Sequence, residues 1–64
     1  MSIYDIAYFA GLNCESNDDT DAEYCLVRDE AWDRAFDGAE YDAVSEDLRA
    51  IFEAGWGEGL AARD

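Results

Sequence analysis

Tyr41-Asp42-Ala43-Val44-Ser45-Glu46-Asp47-Leu48-Arg49-Ala50-Ile51-Phe52-Glu53-Ala54-Gly55 is the stretch whose reading decides the fold. Tyr41, Val44, Leu48, Ile51 and Phe52 recur at i, i+3, i+7, i+10 and i+11. Those intervals return to one side of an α-helix, and the two-residue period of a strand does not generate them. Asp42, near the start, complements the positive end of the helix dipole. Gly55 stands where a left-handed C-cap residue belongs. Trp56-Gly57-Glu58-Gly59-Leu60 follows, and its glycines predict that the helix stops at Gly55. Trp56 is then expected to fold back on the core, and residues 61–64 to fray.

Reading outward, Gly38 ends a second helix. Thr20-Asp21-Ala22-Glu23 has the form of a capping box that opens it. Cys25, Trp32 and Phe36, with Ala22 and Ala35, share one face. The helical pattern is clearest from Asp29 to Asp37, and Tyr24-Cys25-Leu26-Val27 alone would also make a short strand. Residues 13–21 read as a polar loop. Ser2-Ile3-Tyr4-Asp5 is a helix start, with Ile3, Ile6, Ala7 and Ala10 at helical spacing and Gly11 or Asn13 to end the turn. A strand competes here, with Tyr4, Ile6, Tyr8 and Ala10 on one face and Ile3, Ala7 and Phe9 on the other. The expectation is therefore a mostly α chain, a single acidic domain over residues 1–64 with about three short helices. The alternative is an α+β fold in which residues 3–9 and 24–28 pair as an antiparallel sheet flanked by helices. Trp32, Phe36, Leu48, Ile51 and Phe52 are the expected core.

The chain has 64 residues, with 17 Asp or Glu against four Arg, and a formal net charge of −13. A core of this size is thin and its stability marginal. Half the residues are apolar and nine are aromatic, which separates the chain from disordered acidic tails. No segment approaches the roughly 18–20 apolar residues of a membrane span. The N-terminus lacks a basic region before an apolar run, so no signal peptide is expected there. Four cations cannot grip nucleic-acid phosphates or anionic lipid, and the chain should repel DNA. Two cysteines without a secretion signal fit a reduced, cytoplasmic chain, although a Cys14–Cys25 bridge is sterically open.

Conventional chemistry finds few residues to work with. There is no His and no Lys, so Ser2, Ser16 and Ser45 have no imidazole or amine to activate them. Paired carboxylates are abundant, but acid catalysis needs a cleft that desolvates one of them. Zinc needs about four ligands, and two cysteines eleven residues apart do not supply them. Asn17-x-Asp19-x-Asp21 imitates the first ligands of a calcium loop. Position six would then be Ala22 instead of Gly, and position twelve Arg28 instead of Glu. We therefore expect no enzyme, no cofactor and no metal site.

The acids themselves are the candidate site. Asp29, Asp33 and Asp37 stand at i, i+4 and i+8, with Glu30 bordering the stripe. Asp42 and Glu46 repeat the spacing, with Glu40, Asp47 and Glu53 nearby. Like charges at i, i+4 destabilise a helix by roughly 0.2–0.5 kcal/mol each. Arg34 is placed to offset Glu30 and Arg49 to offset Glu46, but the Asp29–Asp33–Asp37 line has no cation of its own. An expected globule about 27 Å across matches a length of duplex carrying on the order of 16 phosphates. Carboxylates on adjacent helical turns, with Cβ atoms about 5–6 Å apart, approximate the phosphate spacing along one strand. Acidity also keeps proteins soluble, as in halophilic proteomes, and this is the plain alternative.

In size, charge and aromatic content the whole chain resembles the small acidic anti-CRISPR proteins of phages and mobile elements, several of which imitate DNA. Locally, Trp32-Asp33-Arg34-Ala35-Phe36-Asp37-Gly38-Ala39-Glu40-Tyr41-Asp42, followed by an acidic helix to Phe52, is similar to the aromatic-x-Gly-Glu-Tyr-Asp turn of ArdA-type antirestriction proteins. Ala39 is an insertion relative to that pattern, and the chain is far shorter than an ArdA-type protein. Both resemblances imply a counter-defence protein acting in the bacterial cytoplasm. It would occupy the basic DNA channel of a CRISPR effector or restriction complex, and apart from the resemblances the chain is expected to be a monomer. Asp29, Glu30, Asp33 and Asp37, then Asp42, Glu46 and Asp47, would stand in for phosphates. The rival expectation is an acidic adaptor or antitoxin-like module that meets a basic protein through exposed aromatics such as Tyr4, Tyr8 or Trp56.

Overall fold

The structure, a computed structural model, describes residues 2–16 and 18–63. Three helices, α1 (Ile3–Asn13), α2 (Ala22–Phe36) and α3 (Glu46–Ala62), follow in order, with a 3-10 turn at Tyr41–Ala43 before α3. No strand occurs among the described residues, so the alternative sheet of 3–9 and 24–28 is not formed. Residues 22–28 continue the helix of 29–36 because Tyr24 and Val27 lie on the same inward face as Ala31 and Ala35. Tertiary burial overrides the β-propensity of this segment.

Each helix start is set by a side chain. Ser2 Oγ accepts from the Asp5 N–H at 3.1 Å, as its S-x-x-D form predicts. Asp21, one residue later than the expected Thr20, caps α2 by accepting from the Glu23 N–H at 2.9 Å. Ser45 caps α3 through the Leu48 N–H at 3.4 Å. The apolar stripe from Tyr41 is therefore broken into two pieces, a short turn and a helix that begins at Glu46. At the end of α2, Asp37 (φ 55°) and Gly38 (φ 78°) both adopt left-handed backbone. The Gly38 N–H closes on the Asp33 carbonyl at 3.2 Å.

The core is aromatic. Phe52 is fully buried, and Trp32 meets it edge-on with ring centroids 5.1 Å apart. Trp32 also packs on Phe36 at 4.3 Å and stacks on Tyr41 at 5.6 Å. Its Nε1–H donates to the Ala39 carbonyl at 2.7 Å, tying the α2–α3 connection to the core. Buried Trp56 donates its Nε1–H to Tyr24 Oη at 2.8 Å. Cys14 is buried and Cys25 exposed, and both are free thiols.

The end of α3 departs from the expectation. The helix does not stop at Gly55 but runs to Ala62, and Trp56 reaches the core from within it. The reason is the contact with α1. A Cβ on Gly55 would lie 2.5 Å from the Tyr4 carbonyl oxygen, and one on Gly11 would lie 2.5 Å from that of Trp56. A Cβ on Gly59 would overlap the Tyr8 carbonyl oxygen. Glycine at these places is required for backbone-on-backbone packing, and that packing offsets the poor helix propensity. Contacts of Tyr4 with Gly55 and Tyr8 with Gly59 set α1 and α3 parallel. Contacts of Tyr24 with Trp56 and Arg28 with Glu53 set α2 antiparallel to both.

This register also corrects the core. The first residues of α1 lie beside Gly55, so the opening turns of α3 project beyond them. Leu48 and Ile51 are consequently 39% and 42% exposed, whereas Phe52 and Trp56 face inward. Trp32 and Phe36 are part-buried against the core as expected. Arg63 donates to the Leu60 and Cys14 carbonyls, which fastens the end of α3 to the end of α1.

Candidate functional site

All sixteen acids among the described residues are exposed. They are not evenly spread. Fourteen of the 17 fall between Glu15 and Glu53, whereas α1 holds only Asp5 and residues 54–62 of α3 only Glu58. The tightly packed α1–α3 pair is thus nearly free of acids over its contact, and α2 with its flanking loops carries most of the charge.

On α2 the inward face is set by Tyr24, Val27 and Ala31, which turns Asp29 and Asp33 to solvent one turn apart. Asp37 does not continue that stack, because its left-handed backbone takes it off the helix as the C-cap. Glu30 faces the other flank, where it lines the groove between α1 and α2 with Val27, Ala31 and Arg34. Asp29 lines a shallow depression with Arg28, Trp32, Glu40 and Tyr41. Tyr41 also borders a second depression, lined by Glu46, Asp47, Arg49, Ala50 and Glu53. Asp29, Glu40, Glu46 and Asp47 are therefore brought to one side around Tyr41. Asp42, in the 3-10 turn, is exposed beside it.

Cation placement sharpens this picture. Among the described residues the ion pair is Arg28–Glu53, between α2 and α3. The expected Glu30–Arg34 and Glu46–Arg49 pairs are not formed. Arg49 instead lies 4.4 Å over the Tyr41 ring, a cation–π contact. Arg28 also reaches over the Phe52 ring, at 5.8 Å. Asp29, Asp33 and Asp37 have no ion-pair partner among the described residues. In a chain of net −13, that leaves their attraction for an external cation unspent.

The polar loop has local tasks. Asp18 Oδ1 accepts from both the Thr20 N–H (2.9 Å) and Oγ1 (2.7 Å), and these bonds hold its pKa below the ordinary carboxylate value. Asp21 is occupied as a cap. Asn17, the first residue of the calcium-loop likeness, lies outside the described residues. Among the described residues, no group of three or more His, Cys, Asp or Glu is arranged to hold a metal. On α1, Tyr4 has its pKa raised by partial burial and then by Glu58, Tyr8 and Asp5.

One surface residue escaped the sequence reading. Leu26 is 60% exposed and stands three, four and seven residues before Asp29, Glu30 and Asp33, in the middle of the acidic face. That spacing was visible in the sequence, but only the fixed inward face of α2 shows that Leu26 points to solvent.

Fold and surface together define a small acidic three-helix bundle. No helix of the described residues is long and apolar enough to cross a membrane. Comparison with known proteins gives no matching family model, no matching curated protein and no matching solved structure.

Proposed function

We propose that this chain is a counter-defence inhibitor, carried by a phage or mobile element, that occupies the basic DNA channel of a host CRISPR or restriction complex in the bacterial cytoplasm. The observation that carries the reading is the acidic side of the bundle, where Asp29 and Asp33 have no ion-pair partner among the described residues. Asp29 and Asp33 face solvent on α2, and Glu40, Asp42, Glu46 and Asp47 gather around Tyr41. The long axis of the molecule is 31 Å. Duplex DNA of that length carries about 18 phosphates at one per 1.7 Å, against a net −13 here. The line density of charge is comparable, and a channel of Arg and Lys would be steered to it in the same way.

The test is a gel-shift competition in which purified CRISPR effectors and restriction complexes bind duplex DNA with and without the chain. The expected result is loss of the shifted band with one complex, relieved as salt rises. Asp29→Lys with Asp33→Lys abolishes the competition while far-ultraviolet circular dichroism stays helical. Full competition by that folded double variant refutes the assignment of these acids.

A second reading, an acidic adaptor for a basic protein, is favoured by the exposure of Leu26 and Phe9, which a DNA mimic does not need. Of its expected aromatic contacts, Trp56 is buried and Tyr4 partly exposed. Duplex DNA displaces a mimic from its partner but leaves an adaptor bound.

A further inference from the structure

A groove of about 550 Å³ runs between α1 and α2, on a different flank from the Asp29 side. Ile6, Phe9 and Ala10 line it from α1, and Val27, Ala31 and Arg34 from α2. On each helix the lining positions recur at i, i+3 or i+4, and i+7. Two antiparallel helices therefore present one seam, apolar at its middle and polar at Asn13, Glu30 and Arg34. Phe9 is 49% exposed at its edge. We propose that this groove docks an amphipathic helix of a basic partner, which packs as a fourth helix with its apolar face on the seam and its cations outward. The proposal does not depend on the DNA-mimic reading.

Charge selects the occupant. A second copy of this chain would bring another −13 against the first, whereas a basic helix is drawn in by the chain's net charge and by Glu30 on the seam itself. A helix is the shape that fills a groove between two others, reading as anchors at i, i+3, i+4 and i+7. Arg34 adds one constraint on the partner. Arg28 is paired with Glu53, Arg49 stacks on Tyr41, and Arg63 is bonded to carbonyls, but Arg34 makes no hydrogen bond, ion pair or ring contact among the described residues. The antiparallel register puts it at the Ile6 end of the seam. The docked helix should carry a carboxylate there and cations elsewhere.

The probe is a synthetic 14-residue amphipathic helix with a leucine face, lysine flanks and one terminal glutamate. A scrambled peptide of the same composition is the control. Both are titrated into the isotopically labelled full chain by NMR at 150 mM salt. The expected result is saturable shifts over residues 6–13 and 27–34 with the amphipathic peptide alone. Phe9→Ser, at a half-exposed position, weakens binding by about tenfold. Arg34→Glu weakens it too, and a peptide with lysine in place of the glutamate restores it. Equal binding of the scrambled peptide, or shifts confined to Asp29 and Asp33, overturns the proposal. Dimerisation of the free chain that Phe9→Ser abolishes would also overturn it, by making the seam a self-interface.

Discussion

Gly57 and Gly59 sit two residues apart in one helix, yet alanine should act on them in opposite directions. At Gly57 nothing lies within 4 Å of a new Cβ. Gly57→Ala therefore gains helix propensity alone, about 0.8–1 kcal/mol. At Gly59 the Cβ would overlap the Tyr8 carbonyl oxygen, and would sit 2.9 Å from the Tyr8 carbonyl carbon and 3.0 Å from the Leu12 nitrogen. These are backbone atoms, so no side chain can rotate away, and α1 and α3 must separate. Overpacking of this kind costs typically 1–3 kcal/mol, and more where the neighbour is rigid. A rigid backbone neighbour puts the cost at the upper end, about 3 kcal/mol, and with the propensity gain of about 1 kcal/mol set against it the net loss is about 2 kcal/mol. A domain of this length has a total stability of roughly 3–9 kcal/mol. At roughly 4–8 °C per kcal/mol, Gly57→Ala raises Tm by about 4–8 °C and Gly59→Ala lowers it by about 8–16 °C. Thermal and urea unfolding followed at 222 nm measures both. Gly59→Ala at or above wild-type stability would mean that α1 and α3 do not meet backbone to backbone, and the parallel register would fall with it.

Tyr24→Phe removes the acceptor of the buried Trp56 Nε1–H and should lower stability by about 1–3 kcal/mol in urea titration, with a shift in tryptophan emission. The Asp18 carboxyl should titrate below the ordinary carboxylate value by carbon-detected NMR, and Thr20→Val should bring it back towards that value. Because its folded pKa is depressed, the stability that Asp18 contributes is fully present above the unfolded value. It is lost as pH falls through the folded one. Raising NaCl from 20 to about 500 mM should raise Tm, since it screens repulsion among exposed acids, and an unchanged Tm would mean that the charge does not strain the fold.

Three of the helix boundaries were legible because they are local. Ser2 and Gly38 announce themselves by cap chemistry, and Asp21 does so to within one residue. The end of α3 was not legible, because Gly55, Gly57 and Gly59 look alike in sequence. Only the presence of α1 turns two of them from helix breakers into contact residues. Leu48 and Ile51 failed for the same reason. Periodicity shows which side of a helix is apolar, but not how far along that side a neighbouring helix extends. For the candidate site, the spacing of Asp29 and Asp33 survived into the structure intact. The stack to Asp37 did not, because Asp37 is itself the residue that ends the helix. The division of Asp29 and Glu30 between two flanks depends on the placement of α1, which spacing within α2 cannot supply.

Solubility depends on net charge and is almost indifferent to where the acids sit. Ala54, Ala61 and Ala62 are exposed on the last turns of α3, with only Glu58 among them. Glutamate at those positions would raise solubility equally well and would lie away from the crowded acids of α2. The sequence instead keeps small neutral residues there and sets Asp33 one turn from Asp29, and Glu46 beside Asp47. That crowding destabilises a domain with little stability to spare. The α1–α3 pair, closed by Gly11, Gly55 and Gly59, can tolerate it because the repulsion is kept off its contact. The same division lets the acidic face change without disturbing the packing that holds the bundle. Reversing Asp29 and Asp33 takes the net charge from −13 to about −9, so under a solubility role the variant stays folded and soluble with nothing else changed, whereas under the proposed inhibition it folds and loses the competition.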